Sequence, residues 1–154
     1  MDLRKSWDQY FVDITEAVAS RADCTRRTAG AVIVKDRRIV STGFNGAPSG
    51  NAGCLSAGAC PRGQLTNEQL AAYSSYDSGP GYCIAVHAEA NALLYADRDK
   101  TEGATLYTWS DTASAEPCIS CWRLIAGAGI DVVVYPLPGG DLAQVDPLLA
   151  CRRR

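Results

Sequence analysis

A single histidine, a glutamate two residues beyond it and a pair of cysteines three apart stand at spacings that could hold a metal ion and move a proton beside it. They are His87, Glu89, Cys118 and Cys121, with Cys118 directly following Pro117. On a helix, a three-residue spacing puts both sulfurs on one face, and a helix start favours the thiolates that a metal requires. His87 would be a third ligand. Three protein ligands leave the fourth tetrahedral position open to water, as a catalytic zinc needs, and such an ion lowers the pKa of that water toward neutrality. Glu89 can reach the same cavity without binding metal, as a general base and acid. Taken alone, His-Ala-Glu is an ordinary helix fragment, and Cys-Ile-Ser-Cys is a redox pair or half of a structural zinc site. A redox pair has no use for the upstream histidine and glutamate, so the conjunction carries the reading.

The bulk composition is consistent with an enzyme of small molecules. Fifteen basic and 17 acidic residues give a formal net charge of −2, whereas dedicated nucleic-acid binders usually carry a basic excess. The terminal Arg152-Arg153-Arg154 reads as a solvated tail. No run of about 18 apolar residues is present, so no membrane span is expected. The N-terminus lacks the apolar core of a signal peptide, and the chain is expected to be a cytoplasmic, single-domain protein over residues 1–154. Stable disulfides are uncommon in that compartment, so metal binding is the leading explanation for seven cysteines.

The elements that must position these residues follow from periodicity. Residues 3–21 read as a helix with Trp7, Tyr10, Phe11, Ile14 and Val18 on one stripe. Residues 29–34 and 38–44 read as a hairpin turning at Lys35-Asp36-Arg37. Residues 45–82 form a long loop rich in Gly, Ser, Pro and Asn, with one short helix expected at 66–73; a loop of that length is usually functional. Helices are expected at 84–96 and 118–126, strands at 105–109 and 130–135, and a short closing helix at 141–151. The order gives a sheet with helices on its faces.

Four more cysteines, Cys24, Cys54, Cys60 and Cys83, surround the long loop. They could form a closed structural zinc site that pins the loop to the core, or be free buried thiols behaving as small apolar residues. Cys151 has no evident partner. Asn45 stands between Gly43 and Gly46, where backbone can approach a ligand and an amide can both donate and accept; the alternative is a plain tight turn.

His-x-Glu followed by Pro-Cys-x-x-Cys resembles the signature of zinc deaminases. Four stretches narrow the resemblance to the deoxycytidylate deaminase family: Gly30-Ala31-Val32-Ile33-Val34, Thr42 through Gly50, His87 through Ala92, and the Pro117–Cys121 helix with Leu124-Ile125 and Ala128-Gly129-Ile130. It covers Cys24 to about Tyr135. The resemblance implies a three-layer α/β cytidine-deaminase-like fold, with a central five-stranded mixed sheet and helices on both faces. It also implies zinc-dependent hydrolysis of a cytosine nucleotide, dCMP to dUMP and ammonia, with Glu89 catalytic and His87, Cys118 and Cys121 on the zinc. Asn45 would hydrogen-bond the sugar and the turn after it hold the phosphate, with Gly46, Ala88 and Pro117 as further substrate contacts. Bacterial relatives carry cysteines resembling Cys24, Cys54, Cys60 and Cys83 around a second zinc, and many members are homo-oligomers, often hexamers. Three departures stand out: relatives usually have a histidine at the position of Gly53; the segment 108–116 is longer than the family norm, so that Trp109 and Asp111 are expected to reshape the substrate pocket; and the residues after Pro136 do not resemble the segment that in relatives supplies an additional aromatic near the substrate. Other readings are a deaminase of another nitrogen heterocycle or modified pyrimidine, an editor of tRNA or single-stranded DNA, and a non-catalytic zinc module. An editor would want a basic, aromatic-studded groove, and a module would have no use for Glu89.

Overall fold

A computed structural model describes residues 1–152; the last two arginines of the terminal Arg152-Arg153-Arg154 run lie outside the described residues. Helix α1 (Trp7–Ala19) begins at Ser6, whose Oγ accepts the Gln9 N–H at 3.1 Å, satisfying one of the amides that a helix start leaves unpaired. It buries Phe11, Val12, Thr15 and Ala19, and each of the two larger apolar side chains contributes roughly 1.5–3 kcal/mol. The hairpin of β1 (Ala29–Lys35) and β2 (Arg38–Phe44) turns through Asp36 and Arg37, both left-handed at φ 50° and 60°, the twist that two-residue hairpin loops favour.

The sheet has the order β2-β1-β3-β4-β5, with β3 (Thr105–Ser110), β4 (Val132–Pro136) and β5 (Leu142–Val145). Only β3 and β4 run parallel; the other pairs are antiparallel. Helix α1 covers one face over a core of Phe11, Val12, Val32, Val34, Tyr107 and Val134. The opposite face carries α3 (Ala88–Leu94) and α5 (Ile119–Gly127) over Ile33, Leu106, Trp122, Ile125 and Val133. The expected five-stranded mixed sheet between helices is the observed architecture.

Two glycines let the helices lie close. A Cβ on Gly30 would meet the Thr15 carbonyl oxygen at 2.5 Å in α1, and one on Gly43 would meet the Ala88 oxygen and Ala92 nitrogen, each at 2.4 Å, in α3. Helix α3 is further tied to β2 by Ser41 Oγ donating to the Ala92 oxygen at 2.7 Å and Asn91 Nδ2 donating to the Phe44 oxygen at 2.8 Å.

Three expected elements differ. Residues 84–87 are extended rather than helical, because Val86 exchanges backbone bonds with Gly46 at 2.8 and 3.2 Å; this leaves His87 as the cap of α3. The helix expected at 66–73 does not form. Thr66 and Gln69 make reciprocal capping bonds of 2.8 and 3.3 Å, but the segment is largely exposed and Tyr73 turns left-handed, so a nucleated turn has no packing to propagate it. Regular structure in the long loop is instead α2 (Cys54–Ala57) and a 3₁₀ turn at Arg62–Gln64. Finally, 141–151 divides into β5 and α6 (Pro147–Arg152). Pro147 opens that helix, the position where a missing N–H costs nothing. The short α4 (Arg98–Thr101) leads from α3 into β3.

Candidate functional site

The ends of α3 and α5 that point to the same side of the sheet bring the two motifs together. His87 caps α3 and Cys118 caps α5, so all three proposed donors emerge from helix starts. His87 Nδ1 lies 3.5 Å from Cys118 Sγ and 3.5 Å from Cys121 Sγ. A nitrogen and a sulfur sharing one tetrahedral zinc, with bonds near 2.05 and 2.3 Å, stand about 3.5 Å apart. The donor set therefore fits the ion in chemistry and in spacing. Among the described residues this is the one group of three such donors gathered within 4.8 Å.

The electrostatics are those of a cluster sharing protons. The Cys121 bond and then the His87 bond pull the Cys118 thiol down to about 3, while the same Cys118 bond and burial push Cys121 up. Cys118 also pulls His87 upward, against burial and the charge of Arg27. Glu89 receives the Cys121 thiol on Oε2 at 3.7 Å. Burial pushes its carboxyl above the usual range, so it can hold a proton where an exposed glutamate would not.

These groups open into a cleft of about 980 Å³, lined by His87, Ala88, Glu89, Cys118 and Cys121 as well as by Asn45, Arg27 and Trp109. Of the other expected substrate contacts, Gly46 and Pro117 are not in the lining. Asn45 is buried, its Oδ1 accepting the Ala29 N–H at 2.9 Å and its Nδ2 donating to the Arg27 oxygen at 3.0 Å. Trp109 reaches the cleft while packing on the α1 side of the sheet. Asp111 braces the loop, accepting the Thr28 N–H at 2.9 Å while its own N–H returns to the Thr28 oxygen at 3.0 Å.

Cys24, Cys54, Cys60 and Cys83 line the same cleft. Cys60 Sγ donates to the Tyr82 oxygen at 3.9 Å, and Thr25 Oγ1 lies 3.2 Å from Cys54 Sγ. The amides of Arg26 and Ala85 donate to Cys24 and Cys83, each at 3.4 Å. Burial raises Cys60, but the amides of Ile84, Gly63 and Arg62 with the Cys83 thiol bring it below the ordinary thiol range. Gly53 has a local reason. A Cβ there would fall 1.8 Å from Asp23 Oδ2, and that carboxylate binds the Ser56 N–H at 2.8 Å and its hydroxyl at 2.6 Å, holding the start of α2.

Sequence reasoning missed the arginines. Arg62 is buried, its Nη1 donating to Ser74 Oγ, the Ser75 oxygen and the Gly81 oxygen at 3.2, 3.3 and 2.9 Å, with the guanidinium 3.9 Å from the Tyr76 ring centre. It organises the loop from within, and a lone arginine in a Gly/Ser-rich stretch gives no sequence signal of that. Arg26 and Arg27 could have been suspected from their place beside Cys24.

Residues 5–137 match the family described as the cytidine and deoxycytidylate deaminase zinc-binding region. The deoxycytidylate deaminase of Mycobacterium phage D29 is 52% identical over 133 residues, covering 86% of this chain and 96% of that protein. The deoxycytidylate deaminase of Saccharomyces cerevisiae is 39% identical over 137 residues, covering 86% of this chain but 38% of the yeast protein. Among solved structures, the dCMP deaminase of cyanophage S-TIM5 in apo form shares the fold with a TM-score of 0.60 at 22% identity, over 98% of this chain and 94% of that one. With residues 5–137 matching the family's zinc-binding region and a His/Cys/Cys donor set assembled at one pair of helix starts, this chain belongs to the zinc-binding cytidine and deoxycytidylate deaminase family.

Proposed function

We propose that this chain converts dCMP and water to dUMP and ammonia, with His87, Cys118 and Cys121 holding zinc and Glu89 carrying protons. The observation that carries the reading is His87 Nδ1 at 3.5 Å from both thiols, with the Glu89 carboxyl against one of them. The names of the phage and yeast relatives support the choice of dCMP. A zinc ion on this donor set supplies a water acidic enough to act as nucleophile near neutral pH. In the reaction the water oxygen bonds to C4 of the cytosine, the C4–N4 bond breaks and the amine leaves as ammonia. Glu89 takes one proton from the water and gives it to ring N3, then takes the second from the new C4 hydroxyl and delivers it to the departing amine, ending in the state in which it began. Its burial lets it alternate between protonated and ionised forms, as that shuttle demands. Asn45 keeps one amide hydrogen and one carbonyl lone pair for the sugar after its bonds to Arg27 and Ala29.

The test is ammonia release by zinc-replete protein offered dCMP, CMP, deoxycytidine and an adenosine nucleotide. Turnover is expected with dCMP, abolished by a zinc chelator and restored by added zinc. Zinc-replete protein that leaves dCMP untouched overturns the reading.

A second, closed zinc on Cys24, Cys54, Cys60 and Cys83 is part of the same proposal. Backbone amides aimed at three of these sulfurs support it, since such bonds favour thiolates; the four must draw closer than they stand to share one ion. Elemental analysis is expected to find two zinc ions per chain and one in Cys60→Ser, with a lowered Tm. One zinc per wild-type chain rejects the second site.

A further inference from the structure

Both thiols of the metal site belong to the start of α5, and the chain reaches that start through an irregular stretch. Strand β3 is held against β1 as far as Ser110, with Ala31 opposite Thr108 and Ala29 opposite Ser110. Asp111 adds one more backbone bond, to the Thr28 oxygen. Beyond it the chain leaves the sheet. Among the described residues, 112–115 take part in no backbone–backbone hydrogen bond. Residues 111–114 are exposed, the chain is buried again at Ala115 and Pro117, and Cys118 follows at once as the cap of α5.

One side-chain bond closes the base of this excursion. Thr108 Oγ1 donates to the Ala115 oxygen at 2.7 Å, and the two residues are only 2% and 6% exposed. Other bonds, from Thr112 Oγ1 to the Ser114 oxygen at 3.0 Å and from the Glu116 N–H to Ser114 Oγ at 3.1 Å, shape the turn itself. A buried carbonyl left without a donor costs about 1–3 kcal/mol. Without the Thr108 hydroxyl, the return segment must therefore turn its Ala115 carbonyl toward water and carry the start of α5 with it. The far end of the same helix is pinned in the same manner: Thr101, also buried, donates from Oγ1 to the oxygen of Ala128, the residue that ends α5, at 2.8 Å.

We infer that Thr108 is a positioning residue for the metal centre: its buried hydroxyl, bonded to Ala115, fixes where the chain re-enters at Pro117 and so sets Cys118 against His87. The inference rests on the zinc-deaminase reading above. His87 is placed independently, by the bonds that tie α3 to β2. Cys121 is buried in α5 beside Trp122 and Ile125 of the core. Cys118 alone arrives through the return segment, so its 3.5 Å separation from His87 Nδ1 depends on the bond at the base of the excursion. Groups that orient a metal ligand without touching the ion carry about 10- to 100-fold in affinity or activity.

The experiment compares wild type with Thr108→Val, Thr108→Ser and Thr101→Val. Valine keeps the branching of threonine and removes the donor, and serine restores the donor; Thr108→Ala repeats the test should the valine variant not fold. Alkylation of Cys118 by iodoacetamide, followed by peptide mass spectrometry across free-zinc concentrations set by a chelator, reads the affinity of this one site. In Thr108→Val the zinc concentration that half-shields Cys118 is expected to rise about 10- to 100-fold, and kcat for dCMP at sub-saturating zinc to fall with it while KM stays within about twofold. Thr108→Ser should shield Cys118 nearly as wild type does. Thr101→Val loses an equivalent buried bond at the other end of α5, so it should lower Tm comparably and leave the shielding unchanged. Wild-type shielding in Thr108→Val, or an equal loss in Thr101→Val, overturns the positioning role. Zinc that fails to shield Cys118 in wild type overturns it together with the metal site. If Thr108→Val loses shielding but zinc-replete wild type leaves dCMP untouched, the positioning role stands and the dCMP reading falls.

Discussion

Glu89→Gln is expected to lower kcat for dCMP by about 10²–10⁴ while leaving zinc content, Tm and KM close to wild type. The side chains have nearly the same shape, and the fold asks little of the charge: burial already favours the protonated carboxyl. What the amide cannot do is take the two protons of the attacking water in turn and pass one to N3 and the other to the amine. His87→Ala provides the contrast. It removes a donor that stands 3.5 Å from both thiols, so zinc and activity should be lost together. Zinc retained with turnover lost, seen by elemental analysis beside ammonia release, separates proton transfer from metal binding. Glu89→Gln turning over dCMP within about fivefold of wild type would show that another group carries the protons.

The metal triad was legible because each half is local. Cys118 and Cys121 are three positions apart, a spacing that helix geometry converts into a shared face, and Glu89 follows His87 by two positions at the start of one helix. The β-branched runs on either side of Lys35-Asp36-Arg37 likewise made the hairpin readable. What escaped depends on distant partners. Residues 84–87 continue the helical pattern of α3, yet Val86 pairs with Gly46 and holds them extended. The 66–73 segment has helical composition and even a capping pair, but no surface to bury against. In 141–151 the sequence is too short for periodicity to separate β5 from α6, and β5 exists because β4 offers an edge. The fifth strand was expected from family resemblance, not from its own residues. Arg62 shows the same limit: its place inside the long loop is set by the Ser74 hydroxyl and the Ser75 and Gly81 carbonyls, 12 to 19 residues away, which local patterns do not encode.

Gly43→Ala tests whether the sheet itself sets the position of the catalytic helix. The new Cβ would stand 2.4 Å from both the Ala88 oxygen and the Ala92 nitrogen of α3. Ordinary contact begins near 3.4 Å, and backbone atoms cannot rotate aside, so the helix must withdraw by about 1 Å. That withdrawal strains the bonds from Ser41 to the Ala92 oxygen and from Asn91 to the Phe44 oxygen. Overpacking of this kind costs about 1–3 kcal/mol, a fall in Tm of roughly 2–12 °C for a chain of this size. The effect on chemistry should exceed the effect on stability, because the displaced helix begins at His87 and carries Glu89 in its first turn. Misplacing a reacting group by about 1 Å can cost 10²-fold, so kcat per folded molecule should drop by about that factor, with weaker zinc retention. Gly127→Ala is the control: it lies in α5 with nothing within 4 Å of the added Cβ, and alanine is the better helix former by about 1 kcal/mol, so it should leave activity intact and Tm unchanged or raised. Wild-type kcat in Gly43→Ala, measured on zinc-replete protein below its Tm, would mean that α3 and its ligands adjust as a unit and that the close approach to β2 is not what aims Glu89.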